Sequence, residues 1–237
     1  MKNAIALRDR IIVALDVPDA GLAMEHVNRL KEAAGFFKVG LQLFLAEGFS
    51  IVDRIGELGL KVMLDLKLHD IPKTVELAVE QFRGHGVALA TVHGYAPTVR
   101  AAALAKRETK LLAVTVLTSM GPGDLAEAGY AGEVDELVLR RARTSMREGA
   151  DGVVCSGLEA GRLRRALGPD ALIVTPGIRQ AGPAGDDQTR IVTAGAAIAA
   201  GADHVVAGRP ILGAADPLGA ARAMIEDVAR ALETAGR

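Results

Sequence analysis

Within residues 61–72, two acids and an amine, Asp65, Lys67 and Asp70, follow where an apolar stretch gives way to polar residues. Side chains two residues apart lie on one face of a strand, so the carboxylate of Asp65 and the ammonium of Lys67 are expected to lie together. Asp70 follows just past this strand, and Pro72 suits the first turn of a helix. Because nearby carboxylates keep an amine charged, the pattern predicts a lysine that can donate a proton at neutral pH.

The simpler interpretation of this segment is a structural ion pair with a third, solvated charge. Val62, Leu64, Leu66 and Leu68 alternate with the other residues, and such apolar side chains are typical of a sheet that helices cover. Charges beside a covered sheet are costly to desolvate, so their presence here indicates chemistry rather than packing.

The composition favours a small-molecule partner over a nucleic acid or a membrane. The 28 Lys and Arg residues nearly balance the 29 Asp and Glu residues, and the basic residues are scattered along the sequence. Tryptophan is absent and aromatic residues make up 3% of the chain, so base-stacking platforms are not expected. Residues 1–10 lack a signal-length apolar stretch, and no run approaches the roughly 18 apolar residues of a membrane span, which predicts a cytoplasmic protein.

Short apolar or β-branched segments recur along the chain, with helical patterns between them. Strands are predicted at residues 11–16, 36–40, 61–67, 89–93, 111–115, 152–155, 171–175 and 204–207. Helices are predicted, among others, at residues 20–33, 72–85, 97–107, 133–148 and 217–234. Eight strand–helix units without a break in composition predict an α/β fold, a single (β/α)8 TIM-barrel domain over residues 1–237.

In such a barrel the active site lies at the C-terminal ends of the strands. The polar residues predicted at those ends are Asp16, Lys38, Asp65, Lys67, His93, Thr118, Ser119, Arg179, Gly208 and Arg209. Acids and lysines dominate the early strands, whereas arginines follow the late strands. The two halves of the rim are therefore expected to have different tasks.

The late strands carry the features of a phosphate site. After the last strand, Gly208 allows close backbone approach, Arg209 offers a forked cation, and Pro210 starts a short helix. Phosphate commonly binds between the loops after strands seven and eight of such barrels. After Thr175-Pro176-Gly177-Ile178-Arg179 at the end of strand seven, the Gly- and Pro-rich stretch at residues 180–188 is too long for a minimal connection, and we expect it to close over the ligand as a lid.

Three residues with reactive side chains receive no role from the sequence. Cys155 is the only cysteine, so no internal disulfide can form, and its apolar neighbours predict a core residue. His69 alternates away from Lys67, and His93 lies at a strand end. Neither histidine has the spacing of a metal site, and their roles stay open.

Seven stretches spread over nearly the whole chain resemble the orotidine 5'-phosphate decarboxylase family. They are residues 15–16, 37–40, 65–72, 117–120, 175–179, 187–188 and 208–210. The stretch at 65–72, Asp-Leu-Lys-Leu-His-Asp-Ile-Pro, is the specific signature, whereas related phosphosugar barrels share Asp-x-Lys-x-x-Asp. The resemblance implies conversion of orotidine 5'-monophosphate to uridine 5'-monophosphate and carbon dioxide, in new pyrimidine synthesis, with no metal and no cofactor.

The same resemblance implies roles for individual residues. Lys67 would protonate the carbon that carbon dioxide leaves, within an alternating charge network of Lys38, Asp65, Lys67 and Asp70. In a homodimer, Asp70 and Ile71 would complete the site of the partner. The implied substrate-binding residues are Asp16 and Lys38 for the ribose, Thr118 for the pyrimidine edge, Gln188 for base and phosphate, Arg179, Gly208 and Arg209 for the phosphate, and Asp65, Ile71, Thr74 and Pro176.

The residues alone leave three other functions open. A related barrel could hold a divalent metal on Asp65 and Asp70 and act on a sugar phosphate, which sensitivity to a chelator would reveal. A Schiff-base aldolase needs an amine of lowered pKa in an apolar pocket, whereas Lys67 is expected between two acids. A catalytically silent phosphate-binding barrel would keep Gly208 and Arg209 but leave the acids and the lysine without a task.

Overall fold

The structure is a computed structural model that describes residues 5–178, 192–234 and 236. Eight strands are present in these residues. They are β1 (Ile11–Leu15), β2 (Phe36–Gly40), β3 (Lys61–Leu68), β4 (Val87–His93), β5 (Lys110–Val114), β6 (Gly152–Val154), β7 (Leu172–Thr175) and β8 (His204–Ala207). All pair in parallel with their neighbours in sequence, and the pairing of β1 with β8 closes the barrel.

The same residues form eleven α-helices, most of which connect consecutive strands around the barrel. They are α1 (Ala20–Leu30), α2 (Leu41–Glu47), α3 (Phe49–Gly56), α4 (Pro72–Glu80), α5 (Ala96–Ala105), α6 (Pro122–Glu127), α7 (Val134–Arg147), α8 (Ala160–Leu167), α9 (Ala194–Ala200), α10 (Arg209–Leu212) and α11 (Pro217–Thr234). The predicted α/β barrel fold is confirmed.

Most of the predicted element boundaries lie close to the observed ones. The strands at 36–40 and 204–207 and the helix at 217–234 have the predicted limits, and the other predicted strands agree within two residues at each end. The prediction of one helix over 72–85 was too long, because α4 ends at Glu80 and a series of turns follows. Gly84 and Gly86 in these turns have positive φ angles of 86° and 62°, which do not continue a right-handed helix.

The buried apolar side chains form two clusters, one outside the ring of strands and one inside it. The larger cluster lies between the strands and the surrounding helices and includes Val62, Leu64 and Val92. The smaller cluster takes side chains from all eight strands, among them Phe36 and Met63. Because side chains alternate along each strand, the two faces of every strand are buried in different clusters.

The amino-terminal ends of the strands are joined by a repeated arrangement of aspartates. Asp151, just before β6, accepts hydrogen bonds from the Leu111 N–H of β5 at 2.8 Å and from Lys106 at 2.6 Å. Asp203, just before β8, accepts in the same way from the Ile173 N–H of β7 at 2.8 Å and from Arg164 at 2.6 Å. Both aspartates end a Gly-Ala-Asp tripeptide whose glycine has a positive φ angle. Each aspartate thus links the starts of two neighbouring strands.

Cys155 is fully buried directly after β6, and burial raises the pKa of its thiol. It is a neutral core residue, as the sequence predicts. Among the described helices, none is both long enough and apolar enough to cross a membrane.

Candidate active site

On β2, β3 and β4, the inward-facing side chains change from apolar to polar toward the carboxyl ends. Each of these strands contributes one residue to the inner apolar cluster and a polar residue two positions later. The polar residues are Lys38, Asp65 and Thr91. On β5 to β8 the corresponding inward residues stay apolar, and they are Val114, Val154, Val174 and Val206. The carboxyl end of the barrel therefore has a charged half and an apolar half.

An alternating row of charges crosses the ends of β1, β2 and β3. The Lys38 Nζ atom lies 2.8 Å from Asp16 Oδ1 and 3.6 Å from Asp65 Oδ2. The same Asp65 oxygen lies 2.9 Å from the Nζ atom of Lys67. The row thus runs acid, amine, acid, amine, and it brings together four residues that the sequence marked for the site.

Asp65 stays ionised although it is mostly buried. Burial by itself raises the pKa of its carboxyl, but the charges of Lys38 and Lys67 and the hydrogen bonds from Lys67 and Thr91 outweigh burial and hold this pKa below its ordinary value. The side chain of Lys67 is 32% exposed, against 9% for Lys38. Lys67 is therefore the amine of the row that a ligand can reach more readily.

A regular strand pleat does not explain why Asp65 and Lys67 lie together. Lys67 has a φ angle of 49°, in the left-handed region, and the pairing of β3 with β4 is irregular between Leu64 and Leu68. A residue other than glycine in this region costs on the order of 1–3 kcal/mol and persists only when its surroundings hold it. The prediction of a simple alternating strand was wrong at this position, although the two side chains do meet.

The structure does not bring Asp70 to Lys67 within one chain. In the part of the chain that the structure describes, Asp65 is the only carboxylate within ion-pair distance of Lys67 Nζ. Asp70 is exposed beyond β3, and its Oδ1 atom accepts a hydrogen bond from the Ile71 N–H at 2.6 Å. Within one chain Asp16 therefore supplies the second acid of the row, and the expectation that Asp70 reaches the Lys67 of a partner chain stays a prediction.

The other predicted binding residues lie around the same end of the barrel. Thr74 is exposed in the first turn of α4, Thr118 is exposed beyond β5, and Pro176 directly follows β7. Arg209 is exposed at the start of α10, next to Gly208. Arg179, Gln188 and the predicted lid at 180–188 lie outside the described residues.

Two glycines lie very close to the charged row. A Cβ atom on Gly40 would lie 2.9 Å from Lys38 Nζ and 3.1 Å from Asp16 Oδ1. A Cβ atom on Gly208 would lie 3.3 Å from the Cβ of Ala14 and 3.6 Å from Asp16 Oδ2. Gly208 thus connects the predicted phosphate side with the charged half of the rim, and any side chain at Gly40 would displace the amine of Lys38.

Sequence reasoning missed Thr91 and gave no separate role to Gly40. Thr91 is 1% exposed and accepts the Lys67 N–H while donating to Asp65. A signal was present, because Thr91 is a polar residue in the middle of the predicted apolar strand at 89–93. Its inward direction could have been read from the alternation with Val92.

His69 and His93 form an aromatic group with Tyr95 beside the site. The ring of His69 stacks on Tyr95 at 4.6 Å and meets His93 edge to face at 5.4 Å. Burial, together with the charges of His69, Arg141 and Lys67, lowers the pKa of His93. His93 is thus favoured in its neutral form and supports the packing of this end of β4.

Comparison with known proteins gives the family. The model described as "Orotidine 5'-phosphate decarboxylase / HUMPS family" matches residues 9–224. The chain belongs to this family. A member from Methylobacterium radiotolerans, named orotidine 5'-phosphate decarboxylase, is 52% identical over 223 residues, which are 94% of this chain and 97% of the relative. A protein of the same name from Rhodopseudomonas palustris (strain BisB5) is 50% identical and covers 94% of this chain and 96% of its own length.

Solved structures give the same fold for this decarboxylase family. The crystal structure of orotidine 5'-phosphate decarboxylase from Lactobacillus acidophilus is 34% identical, has a TM-score of 0.81, and covers 93% of this chain and 99% of its own. The enzyme of the same name from Pyrococcus horikoshii OT3 is 27% identical, with a TM-score of 0.76 and coverage of 92% and 99%. The resemblance seen in the sequence motifs is confirmed.

Proposed function

We propose that this chain decarboxylates orotidine 5'-monophosphate to uridine 5'-monophosphate and carbon dioxide, without a metal or a cofactor. The observation that carries the proposal is the row Asp16–Lys38–Asp65–Lys67 at the carboxyl end of the barrel. Membership of the decarboxylase family and relatives that carry this name over nearly their whole length support it. The reaction would belong to pyrimidine biosynthesis.

Lys67 is the acid of the proposed reaction. When the bond to the carboxylate breaks, its electron pair stays on the pyrimidine carbon and carbon dioxide leaves. The ammonium of Lys67 then gives a proton to this carbon, and the neutral amine regains a proton from water. Lys67 is suited to this task because it is the more exposed amine of the row and is held by Asp65 at 2.9 Å.

The charges of the row favour the carbanion over the bound substrate. Ionised Asp65 would lie beside the substrate carboxylate, and this repulsion ends when carbon dioxide departs. The fixed ammonium of Lys67 stabilises the developing negative charge, and preorganised charges of this kind supply the larger share of such stabilisation. The row therefore destabilises the bound substrate and stabilises the carbanion, and such a difference between the ground state and the transition state is what catalysis requires.

Binding of the rest of the nucleotide follows the division of the rim. Asp16 and Lys38 bind the ribose hydroxyls. Thr118 binds the pyrimidine edge, Gln188 binds both base and phosphate, and Arg179, Gly208 and Arg209 bind the phosphate. Thr74 and Pro176 line the site, and Ile71 lines the site of the other chain in the dimer proposed below.

We assign phosphate binding a part in turnover as well as in affinity. Enzymes lower activation free energies by about 8–23 kcal/mol, and formation of this carbanion requires a reduction at the high end of that range. Binding energy from the remote phosphate must therefore help to assemble the charged site. Arg209→Ala should then lower kcat as well as raise KM. A raised KM with an unchanged kcat would contradict this part of the proposal.

One assay tests the reaction class and the metal requirement together. Purified protein is mixed with orotidine 5'-monophosphate in the presence of a chelator, and the loss of the ultraviolet band of the substrate is followed. We expect full activity with chelator and none with the Lys67→Ala variant. Activity that disappears on chelation and returns with a divalent cation would contradict the metal-free mechanism. No loss of the band under either condition would contradict the decarboxylation itself and favour the sugar-phosphate chemistry of related barrels. Among the described residues, no group of three His, Cys, Asp or Glu side chains lies close enough together to hold a metal ion.

We further propose a homodimer in which Asp70 and Ile71 of one chain complete the site of the other. The supporting observations are that, among the described residues, Asp70 makes no ion pair with the Lys67 of its own chain and that Ile71 is 67% exposed. In this arrangement the partner's acid supplies the second carboxylate beside Lys67.

Mixed dimers test this arrangement directly. Lys67→Ala and Asp70→Ala variants should each be inactive, but co-expression should restore about a quarter of wild-type activity, since half of the dimers are mixed and each mixed dimer has one intact site. If both residues act in one chain, mixing restores nothing.

We also propose that residues 1–237 form a single domain that works in the cytoplasm.

A further inference from the structure

Thr91 occupies a position that the proposed mechanism does not yet use. It lies in the middle of β4 with 1% of its surface exposed. Its hydroxyl donates a hydrogen bond to Asp65 Oδ1 at 2.8 Å and accepts one from the Lys67 N–H at 3.0 Å. A backbone N–H can only donate and an ionised carboxylate can only accept, so the single hydroxyl hydrogen must point to Asp65.

The hydroxyl acts where β3 departs from regular pairing. Leu64 pairs with Ala90 and Leu68 with Val92, so four steps along β3 correspond to two steps along β4. The additional residues form a bulge, and Lys67 within it has a φ angle of 49°. Because the left-handed conformation of Lys67 must be held by its surroundings, the bond from its N–H to Thr91 has a structural purpose.

The same hydroxyl completes the restraint of the Asp65 carboxylate. The Oδ2 atom of Asp65 already lies 2.9 Å from the amine of Lys67 and 3.6 Å from that of Lys38. With Thr91 on Oδ1, both oxygens have partners, and the plane of the carboxylate is fixed. The β-branched side chain of threonine has few rotamers, so it holds its hydroxyl in one direction at little entropic cost.

We infer that Thr91 is a positioning residue that fixes the carboxylate of Asp65 and the backbone of Lys67 relative to each other, so that the amine points at the substrate carbon. This inference rests on the proposed decarboxylation and deepens it. Thr91 acts through its two neighbours, and the proton still comes from Lys67.

The test replaces the hydroxyl with a methyl group. Thr91→Val keeps the shape of the side chain, and displacement of a catalytic group by about 1 Å costs on the order of 100-fold in rate, so kcat should fall by about that factor. The KM for orotidine 5'-monophosphate and the affinity for uridine 5'-monophosphate should change by less than about threefold, since binding does not require the exact direction of the amine.

Thr109→Val is the matched control. Thr109 is 7% exposed at the other end of the barrel, and its hydroxyl donates to the Val87 carbonyl at 3.0 Å. Thr91→Val loses two buried hydrogen bonds and Thr109→Val loses one, so both variants should lose thermal stability, with the larger loss in Thr91→Val. Thr109→Val should nevertheless keep its kcat within about twofold of wild type, because no catalytic group depends on it.

A second pair of variants decides the question even if Thr91→Val folds poorly. Thr91→Ser and Thr91→Ala both lack the methyl group and differ only in the hydroxyl, so the serine variant should keep a kcat about tenfold or more above that of the alanine variant. Equal kcat values for this pair, or a matching loss in Thr109→Val, would overturn the inference while the wild-type enzyme stays active. An inactive wild-type enzyme would instead overturn the proposed function, and the inference with it.

Discussion

The two ends of the barrel both carry charged side chains, but they hold them in different ways. At the amino end, Asp151 and Asp203 each accept from a backbone N–H and from a cation, and the backbone N–H belongs to a neighbouring strand. At the carboxyl end, Asp65 is held by side chains alone, among them Lys67, which stays partly exposed. The first arrangement joins strands, whereas the second leaves an amine partly exposed at the end of the barrel. We therefore expect stability to depend on one end and turnover on the other.

The largest effect is expected from removing the amine at the carboxyl end. Lys67→Ala should lower kcat by at least about 10³-fold, because the variant loses both the proton donor and the positive charge beside the developing carbanion. Binding of uridine 5'-monophosphate, measured by calorimetry, should remain detectable. Substantial residual turnover would show that Lys67 is not the acid, and it would contradict the expectation that turnover depends on the carboxyl end.

Asp203→Ala should show the opposite behaviour at the amino end. The Asp203 side chain is 11% exposed and its partner Arg164 16%. The variant leaves the Ile173 N–H without its acceptor and removes the carboxylate beside a largely buried guanidinium, which keeps only its bonds to backbone carbonyls among those described. The free energy of unfolding, measured with urea, should fall by about 3–5 kcal/mol, while kcat of the folded fraction stays near wild type.

Asp16→Ala is the counterpart at the carboxyl end, where the side chain is 62% exposed. It should lower kcat/KM with a stability loss below about 1 kcal/mol, and equal stability losses would contradict the comparison.

A smaller effect is expected when space beside the row is filled. In Gly40→Ala the new Cβ would lie 2.9 Å from Lys38 Nζ, so the amine must move away from Asp16 and Asp65. We expect kcat/KM to fall by about tenfold, in line with the sensitivity of such sites to small displacements. Gly56→Ala at the end of α3 is the control, since its Cβ would meet nothing within 4 Å. If both variants keep full activity, the position of Lys38 is less critical than the row implies.

The smallest effect is a pH dependence at the amino end. Burial lowers the pKa of His204, whose Nδ1 atom lies 2.8 Å from the Asp9 carbonyl oxygen. As the pH falls, the unfolded chain therefore binds a proton at His204 before the folded chain does. The stability that comes from neutral His204 is complete above about pH 6.5, and it is lost as the pH drops toward the lowered pKa of the folded state. Unfolding free energies between pH 7 and pH 5 should decline less steeply for His204→Gln than for wild type. Parallel curves for the two proteins would show that His204 does not titrate in this way.

Much of the fold could be predicted from local sequence because its periodicity is local. The limits of β2, β8 and α11 followed from apolar segments and helical spacing alone. The lengths of α1 and α4 did not, because the final turns of a helix depend on caps and glycine conformations that the pattern represents poorly. The carboxyl-end residues followed from the rule that parallel barrels gather strand ends on one rim.

The sequence by itself determined the chemistry available to this protein: an Asp-x-Lys pair on the third strand, further charges on the first two, and Gly-Arg after the last. Only the tertiary structure decided how they act together. Lys38 meets Asp16 across 22 residues of chain, and the Lys67 N–H meets Thr91 across 24. The left-handed conformation of Lys67 and its separation from Asp70 are likewise absent from any local pattern. Such contacts depend on strand register and on a bulge, which arise from packing of the whole barrel rather than from the preferences of neighbouring residues.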